Sequence, residues 1–203
     1  MRVDYQQLRQ LLEEMQPSRP AAPVPPDRLA AVLALLVERD ETNLLFIRRA
    51  DRGDPWSNHI AFPGGHVDPA DAGPQHAAYR ETAEEVSIPA DAITPLGDLG
   101  TFPTQLTELW VRVFIGRWDG REPPRADPAE VAAVFEVPLG ELLNHHREQG
   151  FLAKTTADLG RRLTYPVANG TIWGVTARIL HHFLGLIERL DREREPDVGP
   201  QPS

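Results

Sequence analysis

Three glutamates lie close together in residues 80–85, which read Arg-Glu-Thr-Ala-Glu-Glu. On a helix, Glu81 lies three residues before Glu84 and four before Glu85, so all three carboxylates project from one face. Like charges at this spacing destabilise a helix by roughly 0.2–0.5 kcal/mol per pair, whereas a cation between them would be attracted. Carboxylate oxygens are hard ligands that suit magnesium, manganese or calcium. The segment therefore predicts a metal site, with a solvated acidic helix face as the alternative.

A glycine-rich loop stands upstream of this segment. Residues 62–65 read Phe-Pro-Gly-Gly, and glycines allow backbone amides or carbonyls to approach a ligand closely. A loop of this kind leading into an acidic helix indicates a metal-and-phosphate site, and it favours that interpretation over a solvated face.

Residues 65–88 resemble the Nudix box, a loop-helix-loop motif written G-x5-E-x7-R-E-U-x-E-E-x-G-U, in which U is a bulky apolar residue. The matching positions are Gly65, Arg80, Glu81, Glu84, Glu85 and Ile88. Asp71 stands where the first glutamate belongs, and one extra residue separates it from Arg80. Thr82 replaces the apolar residue. Ser87 replaces the second glycine, where we expect it to strain a left-handed helix end by about 1 kcal/mol.

This resemblance implies an α+β protein with the Nudix fold, a mixed β-sheet sandwiched between helices. By position, Glu81, Glu84 and Glu85 would bind Mg²⁺ or Mn²⁺, and the backbone carbonyl of Gly65 would be a further ligand. The metals would polarise phosphoryl oxygens and activate a water, with Glu84 and Arg80 in the catalytic set. Arg80 is expected to orient a helix carboxylate through a charge-assisted bond rather than to touch the substrate.

Members of the family often draw a further carboxylate from outside the box, as base or ligand. Glu130 is our first candidate for the general base, because it directly precedes a predicted strand. Glu108, which precedes another predicted strand, is the second candidate. A solvated loop charge is the alternative interpretation of Glu130.

Histidines and a tryptophan offer other chemistry. His59 and His66 flank the glycine loop and could bind phosphate or transfer a proton, but without a defined partner we interpret them as loop residues. The pairs at residues 145–146 and 181–182 lie on predicted helices, where adjacent side chains do not face each other, so a shared metal is not expected. Trp56 is interpreted as a packed loop aromatic rather than as a stacking surface.

A second resemblance, over roughly residues 28–187, is to the coenzyme A diphosphatase branch of the family. It is carried by Leu44-Leu45, Arg49, Phe62-Pro63-Gly64-Gly65, Asp68, Asp71, Glu130-Val131, Phe135-Glu136-Val137-Pro138-Leu139 and Ile172-Trp173-Gly174-Val175-Thr176-Ala177. The coenzyme A signature of that branch has a serine, an arginine and a glycine upstream of the loop. Here these positions hold Ala50, Asp54 and Asn58.

The substrate-binding residues expected from this comparison are Arg49, Arg52 and Gly64. Asp54 would place a negative charge where a basic residue could meet a phosphate, and Arg52 is the nearest substitute. The expected activity is cleavage of coenzyme A or acyl-coenzyme A to 3',5'-ADP and 4'-phosphopantetheine. The alternatives are hydrolysis of another nucleoside diphosphate derivative or of a nucleoside triphosphate, and a catalytically inactive domain that binds a nucleotide.

The elements that must position these residues follow from apolar periodicity and turn signals. Helices are predicted at residues 3–15, 75–86, 139–146 and 172–190. Strands are predicted at 29–37 and 43–47, paired as a hairpin, and at 109–116 and 131–137, with a loop over 51–71. This irregular order of helices and strands indicates an α+β fold.

The whole chain has 203 residues, which suits one domain of ordinary size. We expect an N-terminal helix and proline-rich connector over residues 1–26, the Nudix domain over 27–190 and a disordered tail over 191–203. The absence of cysteine excludes disulfides, thiolate zinc sites and a cysteine nucleophile.

The net charge of -9 argues against a nucleic-acid or membrane-surface binder. It is compatible with a small-molecule nucleotide substrate, because bound divalent cations can reverse the local sign of a site. No stretch is apolar enough to span a membrane and no secretion signal is evident, so a cytoplasmic location is expected. The sequence leaves the oligomeric state open, including a homodimer.

Overall fold

A computed structural model describes residues 1–15, 24–104, 108–150 and 163–194. The helices are α1 Tyr5–Glu14, α2 Pro74–Val86, α3 Leu139–Gly150 and α4 Gly174–Arg194, with single 3-10 turns at Pro26–Arg28 and Ala90–Ala92. The strands are β1 Leu29–Glu38, β2 Thr42–Arg49, β3 Ile60–Ala61, β4 Gly64–His66, β5 Ile93–Pro103, β6 Trp110–Trp118, β7 Val131–Pro138, β8 Tyr165–Val167 and β9 Gly170–Ile172.

The larger sheet is mixed. Its strands follow the order β3-β2-β1-β6-β5, while β4 also pairs with β1 and β7 with β2. Strand β1 runs parallel to β6, and the other described pairs in this sheet are antiparallel. Strands β8 and β9 form a separate antiparallel hairpin. Because β1 lies at the centre with both faces covered, its sequence is almost continuously apolar.

Helices cover both faces of this sheet. Successive residues of β1 point to opposite sides, so Ala34 and Leu36 enter one core and Leu33 and Leu35 the other. The first core also contains buried residues of α1, α3 and α4. The second contains the apolar face of α2. The predicted α+β architecture, a mixed sheet between helices, is therefore confirmed.

Most predicted elements are present, but four regions differ. The predicted loop over residues 51–71 contains the short strands β3 and β4, and β5 and the β8–β9 hairpin were not predicted. Helix α4 begins at Gly174 and continues through Arg194, so the predicted disordered tail is helical at its start. Residues 16–23, which include most of the predicted connector, and residues 195–203 lie outside the described residues.

The N-terminal helix packs onto the rest of the protein. Its Leu8 and Leu12 side chains are buried in the core shared with α3 and α4. The division of the chain at residues 26 and 190 stays a prediction. Within the described ranges, no helix combines the length and the apolar character that a membrane span requires.

Candidate active site

The glycine loop is fixed against the central strand. Residues of β4 pair antiparallel with Ala30, Ala31 and Val32 of β1. Gly64 has a φ of 147°, and a Cβ atom there would collide with the backbone oxygen of Ala31. Only glycine fits this position. The Gly64 amide donates a 2.9 Å hydrogen bond to Oε2 of Glu85 on α2, so the loop backbone holds one of the predicted ligands.

Helix α2 follows the loop and presents its small residues to the sheet. It begins at Pro74, a residue suited to the first turn because it needs no amide partner. Thr82 is fully buried, and its hydroxyl donates a 2.7 Å hydrogen bond to the Ala78 carbonyl. This bond satisfies the polar group, which explains how threonine occupies an apolar position of the Nudix box.

Two positions with glycine in the family patterns have other residues in a left-handed conformation. Ser87 ends α2 with φ 58° and ψ 31°, as expected for the missing second glycine of the box. Asn58, at the glycine position of the coenzyme A signature, has a φ of 63°. Among the described residues these are the two non-glycine positions with positive φ. Asparagine tolerates this conformation better than most residues do, so this departure preserves the local backbone.

Three carboxylates from two parts of the chain meet beside the loop. One oxygen from each of Glu81, Glu85 and Glu130 lies within 4.8 Å of the others. We call these three residues the carboxylate cluster. The Glu85 side chain is 1% exposed and that of Glu81 is 15% exposed, whereas Glu130 is 39% exposed. The cluster therefore has a buried side and a side open to solvent.

The segment before β7 brings Glu130 to the helix. Amides of Asp127 and Arg125 donate to the terminal carbonyls of Glu85 and Val86, at 2.9 and 3.0 Å. These bonds satisfy carbonyls that have no partner within α2. The Glu130 carbonyl accepts a 2.8 Å bond from the Ala50 amide after β2. These contacts place Glu130 beside the acidic helix, and its role as general base stays a prediction.

Electrostatics in the cluster disfavour three ionised carboxylates. The pKa of Glu85 is raised to about 7, mainly by burial. The Gly64 amide and Arg49 act to lower it, and the neighbouring Glu81 and Glu130 act to raise it. Burial also raises the pKa of Glu81, with Arg80 acting in the opposite direction. A divalent cation fits this set of hard oxygen donors, because its charge would stabilise the ionised forms. The cluster could therefore bind a metal.

Arg80 lies among carboxylates at the edge of the cluster. Its guanidinium donates to Asp71 through Nε at 3.0 Å and Nη2 at 3.1 Å. Its Nη1 is 3.0 Å from Oε1 of Glu81. Arg80 is the main reason why the pKa of Asp71 lies well below its usual range. This arrangement agrees with an orienting function for Arg80, and its place in the catalytic set stays a prediction.

Glu84 is located differently from the other helix carboxylates. Its side chain is 57% exposed and pairs with Nη1 of Arg80 at 2.8 Å. The sequence predicted one face shared by Glu81, Glu84 and Glu85, but among the described residues the third member of the cluster is Glu130. The residue spacing on α2 alone could not show which carboxylates turn towards the loop. The ligand and catalytic roles of Glu84 stay predictions.

The predicted substrate-binding residues border the cluster. Nη1 of Arg49 lies 3.8 Å from Oε1 of Glu85, and Nη1 of Arg52 lies 3.3 Å from Oε1 of Glu130. A Cβ atom on Gly65 would lie 2.5 Å from the carboxyl carbon of Glu81. The loop backbone therefore approaches Glu81 closely, as a carbonyl ligand from Gly65 would require.

Two other acidic residues have different surroundings. Glu108, the second candidate base, is 76% exposed and pairs with Arg28. Asp54 accepts a 2.7 Å hydrogen bond from the Trp56 amide, which is the main reason why its pKa is lowered, with Arg49 contributing. Asp54 therefore stabilises the turn before β3, which the sequence did not reveal.

A cavity of about 200 Å³ adjoins the cluster. Arg49 and Gly64 line it and also contact Glu85. The aromatic side chains of Trp56, His59 and Trp173 line it. The sequence suggested that Trp56 and His59 were ordinary loop residues, and Trp173 was noted only within a motif. His66 also lines the cavity. Because Trp173 fell within the predicted helix over residues 172–190, its sequence context gave no signal that it lines the cavity.

A histidine pair lies elsewhere in the fold. Adjacent histidines do not face each other, as expected, but His146 of α3 and His181 of α4 do, with ring centroids 4.5 Å apart. Nδ1 of each ring lies 3.2 Å from the hydroxyl of Tyr165. The pKa of His181 is lowered to about 4, mainly by burial and to a smaller extent by His146 and His182. The group joins α3, β8 and α4 by tertiary contact.

The family of this chain is shown by its sequence relatives. The family model described as "NUDIX domain" matches residues 27–159, more than half of the chain, and the chain belongs to the Nudix family. It is 35% identical over 156 residues to the Nudix hydrolase NudL of Yersinia pestis (strain Pestoides F), covering 77% of this chain and 78% of that protein. It is a Nudix hydrolase that acts on pyrophosphate bonds of nucleoside diphosphate-linked substrates.

Solved structures share the fold. The binary complex of a C. elegans Ap4A hydrolase has a TM-score of 0.52 and 16% identity, covering 79% of this chain and 98% of that one. The MutT protein from Methanosarcina mazei Go1 has a TM-score of 0.50 and 17% identity, covering 90% of this chain and 99% of that one. At such identities the likeness concerns the fold alone.

Proposed function

We propose that the protein is a Mg²⁺- or Mn²⁺-dependent diphosphatase whose substrate is coenzyme A or acyl-coenzyme A. The expected products are 3',5'-ADP and 4'-phosphopantetheine. The observation that carries the metal-dependent part is the cluster of Glu81, Glu85 and Glu130, whose oxygens lie within 4.8 Å of one another. Burial and repulsion from two neighbouring carboxylates disfavour the ionised form of Glu85, and a bound cation would offset both effects.

The chain supplies the metal donors from a rigid frame. Glu81 and Glu85 would hold the cation together with Glu84 and the carbonyl of Gly65, while the Gly64 amide fixes the Glu85 carboxylate at 2.9 Å. When bound, the cation would polarise phosphoryl oxygens and lower the pKa of a coordinated water.

Glu130 would act as the general base. It is the most exposed member of the cluster, at 39% against 15% and 1% for the other two, so water can reach its carboxylate. Its carboxylate would accept a proton from the attacking water as the water oxygen bonds to phosphorus and a bridging phosphorus–oxygen bond of the diphosphate breaks. Arg52, 3.3 Å away, would hold the carboxylate in place and offer charge to the substrate phosphates.

The substrate proposal rests on the coenzyme A-like segments and on the basic groups beside the cluster. Arg49 and Arg52 border it from the end of β2 and the following loop, where they can meet phosphate oxygens. Oδ1 of Asp54 accepts a hydrogen bond from the amide of Trp56, which holds this carboxylate in the turn before β3. A cytoplasmic location and a homodimer stay predictions.

A substrate screen tests this function. Coenzyme A, NADH, ADP-ribose and a nucleoside triphosphate are incubated separately with the protein and Mg²⁺ or Mn²⁺, and the products are separated by chromatography. We expect coenzyme A to be cleaved fastest and no cleavage after addition of a chelator. If coenzyme A stays intact while another compound is cleaved efficiently, the substrate proposal is wrong and the family activity stands.

A further inference from the structure

The cavity beside the carboxylate cluster has an aromatic wall without a described partner on its outer side. The Trp173 side chain is 46% exposed, and Trp173 is the exposed large hydrophobic residue among those described. Its ring lies against His59, with centroids 4.3 Å apart and planes at 64°. Trp56 in turn meets His59 edge-on at 6.1 Å. These three side chains form what we call the aromatic wall.

Most of the remaining cavity surface is apolar. Side chains of Val32, Phe62, Val111 and Ile179 contribute to it. Burial and the charge of Arg49 lower the pKa of His59, which favours its neutral ring. Ligand sites commonly combine such an apolar lining with a few polar groups that fix orientation. The cavity therefore suits an uncharged group rather than a phosphate.

The cavity and the cluster are connected through shared residues. Gly64 lines the cavity while its amide holds Glu85, and Arg49 lines it with Nη1 3.8 Å from Glu85. A diphosphate at the cluster would therefore place its next substituent beside the cavity. In a nucleotide, only the ribose lies between the phosphate and the base, so few rotatable bonds become ordered when the base enters the cavity. A long flexible arm would lose more conformational freedom on binding there.

We propose that the aromatic wall binds the nucleobase of the substrate and that Trp173 determines its affinity by stacking on the base. This assignment rests on hydrolysis of a nucleoside diphosphate-linked substrate at the cluster, and it does not depend on which such substrate is used. Aromatic side chains can stack on the flat face of any base, and the apolar side chains that line the rest of the cavity would exclude water from the stacked pair.

Calorimetric titration tests the proposal without turnover. The ligands are 5'-AMP and ribose 5-phosphate, which differ by the base, in the presence of Mg²⁺. The variants are Trp173→Ala, Trp173→Leu and Trp173→Phe. Trp110→Phe is the control, because Trp110 does not line the cavity. Thermal unfolding checks that every variant is folded.

The expected result is a loss of binding affinity that requires both the base of the ligand and removal of the aromatic ring from residue 173. Trp173→Ala should weaken 5'-AMP binding about ten-fold or more and leave ribose 5-phosphate unchanged. Trp173→Leu should resemble the alanine variant, because it keeps apolar bulk without a π-face, whereas Trp173→Phe and the control should stay near wild type.

Other results overturn the assignment. Unchanged 5'-AMP affinity in Trp173→Ala would show that the aromatic wall is not the base site. Wild-type affinity in Trp173→Leu would show that residue 173 contributes only apolar contact and does not stack on the base. An equal loss for ribose 5-phosphate would indicate damage to the phosphate site. Failure of coenzyme A hydrolysis with the expected 5'-AMP pattern would instead refute the substrate proposal and leave the base site standing.

Discussion

Replacing Glu85 with glutamine should stabilise the metal-free protein at neutral and alkaline pH while it abolishes hydrolysis. The Glu85 carboxyl is 1% exposed, and burial raises its pKa from 4.5 to about 7. Between these two values the folded protein binds more protons than the unfolded chain does. The free energy of unfolding therefore falls as the pH rises through about 7. An uncharged amide removes this dependence and still accepts the Gly64 amide bond.

The magnitude follows from the same two pKa values. Raising a pKa from 4.5 to about 7 corresponds to about 3 kcal/mol, since one pKa unit is about 1.4 kcal/mol. This pKa already includes the attraction of Arg49, whose Nη1 lies 3.8 Å from Oε1 of Glu85. We therefore expect Glu85→Gln to be more stable than wild type by about 1–3 kcal/mol at pH 8. Most of that difference should arise between pH 5 and 8.

Urea unfolding in the presence of a chelator measures this difference at pH 5 and pH 8. Glu84→Gln is the matched control, because Glu84 lies on the same helix, is 57% exposed and pairs with Arg80. The control should change stability by less than about 0.5 kcal/mol, with no trend between the two pH values. If the wild type and Glu85→Gln differed equally at both pH values, burial would not be holding Glu85 protonated.

Three further predictions concern single substitutions. Glu130→Gln should lower kcat by roughly 10²–10⁴-fold with little change in KM, and an unaltered pH–rate profile would direct attention to Glu108. Gly65→Ala should weaken Mn²⁺ binding by roughly 10–100-fold in calorimetry, because its Cβ would lie 2.5 Å from the Glu81 carboxyl carbon; unchanged affinity would exclude this contact from the metal site. His181 has a pKa lowered from 6.5 to about 4, so stability should fall as the pH drops through that window, and less so in His181→Gln; equal slopes would refute the assignment.

The sequence predicted the loop and acidic helix because their signals are local. Pro74 marks the helix start, and the glycines mark a close backbone approach, as observed at Gly64. Strand β5 was missed because prolines and glycines interrupt its pattern. Its register shifts twice, between Pro95 and Gly97 and between Asp98 and Gly100. Such bulges break the two-residue alternation that identifies a strand.

The composition of the site could be predicted only in part, because helical spacing does not specify tertiary contacts. Glu84 and Glu85 are adjacent in sequence, yet one is exposed and the other is fixed by the Gly64 amide. Likewise, nothing near Trp173 indicates that the start of α4 lies beside His59. Glu130 could be proposed because family members often draw a further carboxylate from outside the box and because it directly precedes a predicted strand.

The central claim is tested most directly by measuring the rate of coenzyme A hydrolysis against Mg²⁺ concentration for wild type and for Glu85→Gln. If the carboxylate cluster is the metal site, neither protein should turn over substrate without the cation. With saturating Mg²⁺, wild type should be active and Glu85→Gln should have collapsed activity, while both keep the same helix content by circular dichroism. Near wild-type turnover of the variant at saturating metal would contradict the account, because the buried carboxylate would then not be needed for catalysis.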